Sequence, residues 1–162
     1  MARKGLIAAA FLLAMLAGNV DAQVPIFKVY GGANAVWFNG PDGLPSDFEL
    51  GGTARASLSP HISLVGSGFW GLDKSYTIGR GGVRITATDV NDPNFSVGIG
   101  AEYQVSTKQD IRPEEWIYTA SLGFKPWPQV YPRLIIGAQG AYGSESQQGS
   151  LILAARFLLG GL

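Results

Sequence analysis

From Phe95 to Val105 apolar and polar positions alternate without a break. Phe95, Val97, Ile99, Ala101, Tyr103 and Val105 share one parity; Ser96, Gly98, Gly100, Glu102 and Gln104 share the other. Side chains on a strand point to alternate faces, so this stretch predicts one strand with a greasy side and a polar side. The design recurs along the chain. Ile26–Phe38 sets Phe27, Val29, Gly31, Ala33, Ala35 and Trp37 against Lys28 and Asn34, and Asp47–Leu58 sets Phe48, Leu50, Gly52, Ala54, Ala56 and Leu58 against Glu49, Thr53, Arg55 and Ser57. Glu115–Lys125 carries Trp116, Tyr118, Ala120, Leu122 and Phe124 against Thr119, Ser121 and Lys125. Arg133–Gly143 and Ser150–Gly160 repeat it with Leu134, Ile136, Ala138 and Tyr142, then Leu151, Leu153, Ala155, Phe157 and Leu159.

Two stretches are less regular. In Ile62–Gly71, Ile62, Leu64 and Trp70 oppose Ser63 and Ser67, but Val65 and Phe69 blur the polar face. In Ser75–Ala87, Val83, Ile85 and Ala87 oppose Arg80, Arg84 and Thr86, yet Tyr76 and Ile78 lie on the arginine parity. A bulge near Gly79 or Gly81-Gly82 is the expected remedy. The intervening segments read as turns: NGPDGLPS at Asn39–Ser46, Ser59-Pro60, the charged Ser106–Glu114, and PWPQVYP at Pro126–Pro132, which cannot pair as an interior strand. The result is eight candidate strands of about ten residues. Ordinary strands run nearer 5–6, whereas tilted membrane-spanning strands need about 9–11.

Composition then narrows the class. Arg3 and Lys4 precede the apolar run Leu6–Ala17, and Val20-Asp21-Ala22 fits a small-x-small cleavage site, so residues 1–22 read as a signal peptide and 23–162 as one exported domain. Removal takes Arg3, Lys4 and Asp21 and leaves the domain near neutral, which argues against a nucleic-acid partner. There is no cysteine, which excludes a disulfide scaffold, thiol nucleophiles and thiolate metal sites. After the leader no apolar run is long enough for a spanning helix, so any insertion into a membrane uses strands.

Alternation alone leaves two assignments. A soluble calyx of the lipocalin kind would turn the apolar face inward and bind a periplasmic ligand. A membrane barrel would turn it outward. The polar face is mainly Gly, Ser and Thr with isolated charges, as suits a filled lumen rather than a water-facing surface. The aromatics also fall at strand ends in an alternating sense. With the first strand running outward from the periplasm, Trp37, Phe48, Trp70, Tyr76, Tyr103, Trp116, Tyr118 and Tyr142 gather at one boundary. Phe27, Phe95, Phe124, Trp127, Tyr131 and Phe157 gather at the other. Two aromatic girdles around an apolar band mark a transmembrane barrel. The expected fold is therefore all-β: an eight-stranded antiparallel up-and-down transmembrane β-barrel.

On these strands the chain resembles the small eight-stranded outer-membrane barrels of Gram-negative bacteria, the OmpA-like and OmpX-like class. The likeness is architectural and covers Ile26–Leu162. It implies an outer-membrane location, a monomer among outer-membrane lipids and lipopolysaccharide, and delivery by the barrel assembly machinery. Members commonly end on an aromatic in the last strand; here Phe157 and Leu159 hold the matching face, but the chain runs on to Gly160-Gly161-Leu162.

The inward charges are uneven. By parity Lys28, Arg55, Arg80, Arg84, Lys125, Arg133 and Arg156 point inward, against Glu49 and Glu102. Buried charges need partners, so each glutamate is expected to bridge cations such as Arg80, Arg55 or Arg84. The surplus cations must be wetted or hold an anion. The sole histidine, His61, sits beside Pro60 at a turn with Ser59 and Ser63 but no near carboxylate, and reads as an exposed turn residue rather than part of a catalytic triad. Gly79–Gly82 lies inside a strand and is no phosphate loop. Asp42, Asp47, Asp73, Asp110, Glu114, Glu115 and Glu145 read as solvated loop charges, with divalent bridging to lipopolysaccharide as their functional alternative. No cofactor and no catalytic group is expected. The expected role is non-enzymatic, structural or surface-interacting, with a narrow path for a small anionic or hydrophobic solute as the alternative.

Overall fold

The structure, a computed structural model, describes residues 27–38, 46–87 and 94–161. The expected signal peptide and the loop residue Asp42 lie outside them. Eight strands follow one another: β1 (Phe27–Phe38), β2 (Asp47–Ser57), β3 (Ile62–Gly71), β4 (Thr77–Thr86), β5 (Phe95–Ser106), β6 (Glu115–Phe124), β7 (Leu134–Gly143) and β8 (Gly149–Gly161). Each pairs antiparallel with its sequence neighbour, and β8 closes on β1, so the sheet is an up-and-down barrel with no free edge. β1 begins and β8 finishes at one end, here called proximal; the opposite end is distal.

Burial decides which of the two alternating faces turns inward. Leu50, Leu64, Ile99, Leu122, Leu153 and Leu159 are exposed on the outer wall, while Asn34, Glu49, Ser63, Glu102, Gln104 and Thr119 are buried inside. The soluble calyx is thereby excluded, because its faces would be reversed. In water the exposed part of each large belt side chain would forfeit on the order of 1 kcal/mol, and a dozen of them would rival a whole domain's stability of roughly 5–15 kcal/mol. The strand lengths agree: an eleven-residue strand tilted by about 45° rises about 26 Å, close to the roughly 25 Å apolar band of such barrels.

The blurred parities of β3 and β4 have a simple cause. Val65 and Phe69 are buried in the lumen, and so are Tyr76 and Ile78. The bulge expected near Gly79–Gly82 does not occur, since β4 pairs with β3 and β5 from Ile78 to Ile85 in unbroken register. Tyr76 is therefore not a girdle residue; it is 1 % exposed and packs with Phe69 and Ile78. The register shift lies instead where β8 meets β1, between Val29 and Tyr30. Following the register once round the barrel gives a stagger of about twelve residues, and a large stagger goes with strong tilt and a roomier bore. Strand walls so coiled need glycine where backbones crowd: a Cβ on Gly82 would stand 2.1 Å from the Ala101 carbonyl oxygen.

Candidate functional site

The lumen divides into a packed distal seal and a cavity. The seal is built from β1, β2 and the ends of two distal connections. Glu49 is fully buried. Its Oε2 accepts from Asn34 Nδ2 at 2.8 Å, and its Oε1 accepts from the Tyr76 hydroxyl at 2.6 Å and from Arg112 Nη2 at 2.9 Å. Arg112 comes from the β5–β6 connection, which bends inward so that the guanidinium stacks 4.4 Å above the Phe38 ring. Phe38 and Ile111 complete an apolar layer with Phe69, Tyr76 and Ile78. A charge-assisted cluster in low dielectric, surrounded by rings, holds the described distal part of the lumen rigid and closely packed.

Two further carboxylates brace the distal rim. Asp47 accepts main-chain N–H bonds from Asp73 at 2.9 Å and Lys74 at 3.3 Å, holding the β3–β4 turn. Glu115 accepts from the main chain of Glu145 at 2.7 Å and Ser146 at 3.0 Å, and from the Ser146 hydroxyl, holding the β7–β8 turn. Each turn passes through a non-glycine residue with positive φ, Ser75 at 51° and Gln147 at 56°. The buried acceptors offset that backbone strain. The expectation that Asp47 and Glu115 are solvated loop charges is thus corrected: both are buried, because strand ends of inward parity carry them under the turns.

Below the seal lies a cavity of about 150 Å³. Arg55, Arg80, Arg84 and Arg156 line it, with Glu102 as the acidic member. Glu102 Oε1 accepts from Arg84 Nη2 at 2.8 Å, the bridge expected from parity. Arg80 Nε donates instead to Gln104 Oε1 at 3.1 Å, and Arg55 Nε to Ser63 Oγ at 3.0 Å. Arg156 donates to the Ala33 carbonyl at 3.1 Å and stacks 4.8 Å from Phe69. Glu49 forms its salt bridge with Arg112, not with the expected Arg55, Arg80 or Arg84. Lys28 and Lys125 stand near the proximal mouth, half-buried and partnered. Arg133 lies in the exposed connection before β7 and is not part of the lumen cluster.

The outer wall carries the remaining sequence-derived residues. Phe48, Trp70, Tyr118 and Tyr142 are exposed toward the distal end; Phe27, Phe95, Phe124 and Phe157 toward the proximal end. Trp37 and Trp116 are half-buried, and Tyr103 meets Trp116 edge-on at 5.4 Å. Trp127 and Tyr131 form an exposed edge-on pair in the proximal β6–β7 connection. His61 sits in the β2–β3 turn with its Nδ1 3.2 Å from the Thr86 carbonyl, tying that turn to the proximal end of β4.

No family model matches the chain, nor does any curated protein. Solved structures do. A de novo designed transmembrane β-barrel aligns over 86 % of this chain and 100 % of its own at 14 % identity, with a TM-score of 0.58. The designed barrel TMB2.3, determined in solution by NMR, aligns over 86 % of this chain and 99 % of its own at 17 % identity, with a TM-score of 0.51. A looser likeness, with a TM-score of 0.40 at 17 % identity over 85 % of this chain and 100 % of the other, is to Ail. That protein, the attachment invasion locus protein of Yersinia pestis, was crystallised with the heparin analogue sucrose octasulfate. At these identities the likeness is one of fold. The fold is that of the small eight-stranded transmembrane barrels, the OmpA-like and OmpX-like architecture expected from the strands.

Proposed function

We propose that this chain is an integral barrel of the bacterial outer membrane with a non-enzymatic, structural or surface-interacting role. The observation that carries the reading is the filled distal seal under an apolar outer belt. The belt anchors the barrel in lipid, and the Glu49–Arg112–Tyr76 cluster closes the bore to passive flow. Both termini then face the periplasm, and the distal turns face outward. The two sets of exposed aromatics serve as girdles at the headgroup levels. Asp73, Asp110, Glu114 and Glu145 stay available at the distal surface for lipopolysaccharide, with divalent cations as bridges. Assembly by the barrel machinery and a monomeric state complete the picture.

Transport is the second reading, favoured by the cations around the cavity, and it requires the seal to open. Fractionation with surface labelling of the Ser106–Glu114 connection tests the location and topology. Retention in the outer membrane, heat-modifiable gel mobility and labelling from outside are expected. Release into the soluble periplasm would overturn the reading. In planar bilayers the purified barrel is expected to hold closed; steady open currents would favour transport instead.

A further inference from the structure

The cavity beneath the seal has more positive charge than its own side chains balance. Four arginines from β2, β4 and β8 line it, and its acid, Glu102, is engaged by Arg84. Donors are also left over. Arg55 Nη2, Arg80 Nη2, Arg84 Nε and Gln139 Nε2 are buried with no protein acceptor in reach, and all four residues line this one cavity. Arg80 is the telling member: it is 8 % exposed, its Nε is committed to Gln104, and its Nη2 has no hydrogen-bond partner. Buried donors are ordinarily satisfied, and Arg80 makes no direct ion pair, feeling Glu49 and Glu102 only across the lumen.

One acceptor is left over in the same wall. Asn34 donates its amide N–H to Glu49, which leaves its buried Oδ1 without a hydrogen-bond partner, and Asn34 lines the same cavity. From these complementary groups we infer that the lumen is a blind binding site for one small tetrahedral oxyanion of the phosphate class. Its oxygens accept from Arg55, Arg80, Arg84 and Gln139, and Arg156 adds charge. A protonated oxygen of hydrogen phosphate donates to Asn34 Oδ1, which sulfate cannot do near neutral pH. The size is suitable: a cavity of about 150 Å³ far exceeds the roughly 10–15 Å³ that one water needs, leaving room for one such ion. Because the distal end is filled by the Arg112 seal, the ion enters from the proximal end. The inference goes beyond the structural role proposed above and does not require conduction.

The ion has two sources, free phosphate or the phosphate of an acidic lipid headgroup reaching the proximal mouth. The test begins with the barrel refolded in neutral detergent and checked by heat-modifiable mobility, so that failure to form a barrel is separated from failure to bind. Equilibrium dialysis with labelled inorganic phosphate, at constant ionic strength in chloride, is expected to show saturable binding at one ion per barrel. A saturable rise in unfolding temperature is expected to accompany it, with sulfate weaker than phosphate. A parallel arm compares vesicles containing phosphatidic acid with vesicles of phosphatidylcholine alone. Saturation by free phosphate identifies a soluble ion; stabilisation by phosphatidic acid only identifies a headgroup; either supports the site. The paired substitution Arg80→Gln with Arg156→Gln is expected to abolish binding, whereas Arg133→Gln, on the exposed connection, leaves it intact. No saturable binding from either source by the intact barrel, or binding unchanged in the paired variant, overturns the inference.

Discussion

Replacing Glu49 with glutamine separates a structural plug from a decorative ion pair. The side chain keeps its shape but loses the charge that three donors share. Both members of the pair are deeply buried, with 5 % exposure for the Arg112 side chain and 0 % for Glu49. Removing one partner from such a pair ordinarily costs about 3–5 kcal/mol, since the other charge is stranded in low dielectric. Here Arg112 sits on a connection and not on a strand, so it can withdraw toward water, and the loss is limited to the energy that docks that connection. An expected cost of about 3 kcal/mol follows, made of one charged hydrogen bond of roughly 1.5–3 kcal/mol and the undocking of Ile111 from its apolar layer. The assay is urea unfolding of the barrel in lipid vesicles, read by tryptophan fluorescence. A double-mutant cycle with Arg112→Met should give a coupling of at least about 1.5 kcal/mol, and amide exchange across the Ser106–Glu114 connection should speed up in either single variant. A Glu49→Gln barrel within about 0.5 kcal/mol of the parent, the range of ordinary surface changes, would refute the seal.

Glu102→Gln should cost less, about 1–2 kcal/mol in the same unfolding assay, because Arg84 is 20 % exposed and can be solvated once its partner is neutral; a loss larger than that of Glu49→Gln would reverse the order of the two pairs. Glu115→Ala should leave the Glu145 and Ser146 amides without their acceptor and destabilise the barrel by about 1–3 kcal/mol. Hydrogen exchange should speed up most at the β7–β8 turn, and protection unchanged there would count against the capping role. Ile99→Arg, at an outer-wall position that is 62 % exposed, should lower stability in a bilayer by about 2–4 kcal/mol. On a water-facing wall the same change would fall within about 0.5 kcal/mol, so a neutral result measured in lipid vesicles would remove that position from the hydrocarbon.

The period-two pattern set the number of strands and their limits to within two residues. Phe95–Val105 became β5 with its whole apolar parity on one face, because alternation is a property of the extended backbone and needs no partner to be visible. It likewise brought Arg84 and Glu102 to the same side of adjacent strands, where Arg84 lies opposite Gly100 and Glu102 opposite Gly82, a diagonal pair two residues out of step. What alternation could not assign were residues whose direction depends on closure of the barrel. Tyr76, Val65, Phe69 and Ile78 carry no hydrophilic label, yet they fill the bore, since a narrow lumen must be packed as well as polar. Asp47 and Glu115 read as loop charges until the turns were seen to fold over them. Arg112 is the plainest case. It lies in a connection with no periodicity, 63 residues along the chain from Glu49, and only the closed cylinder brings the guanidinium onto the carboxylate. Local sequence fixes which face a side chain takes on a strand; it holds no record of how far a loop bends inward to satisfy a buried charge on the opposite wall.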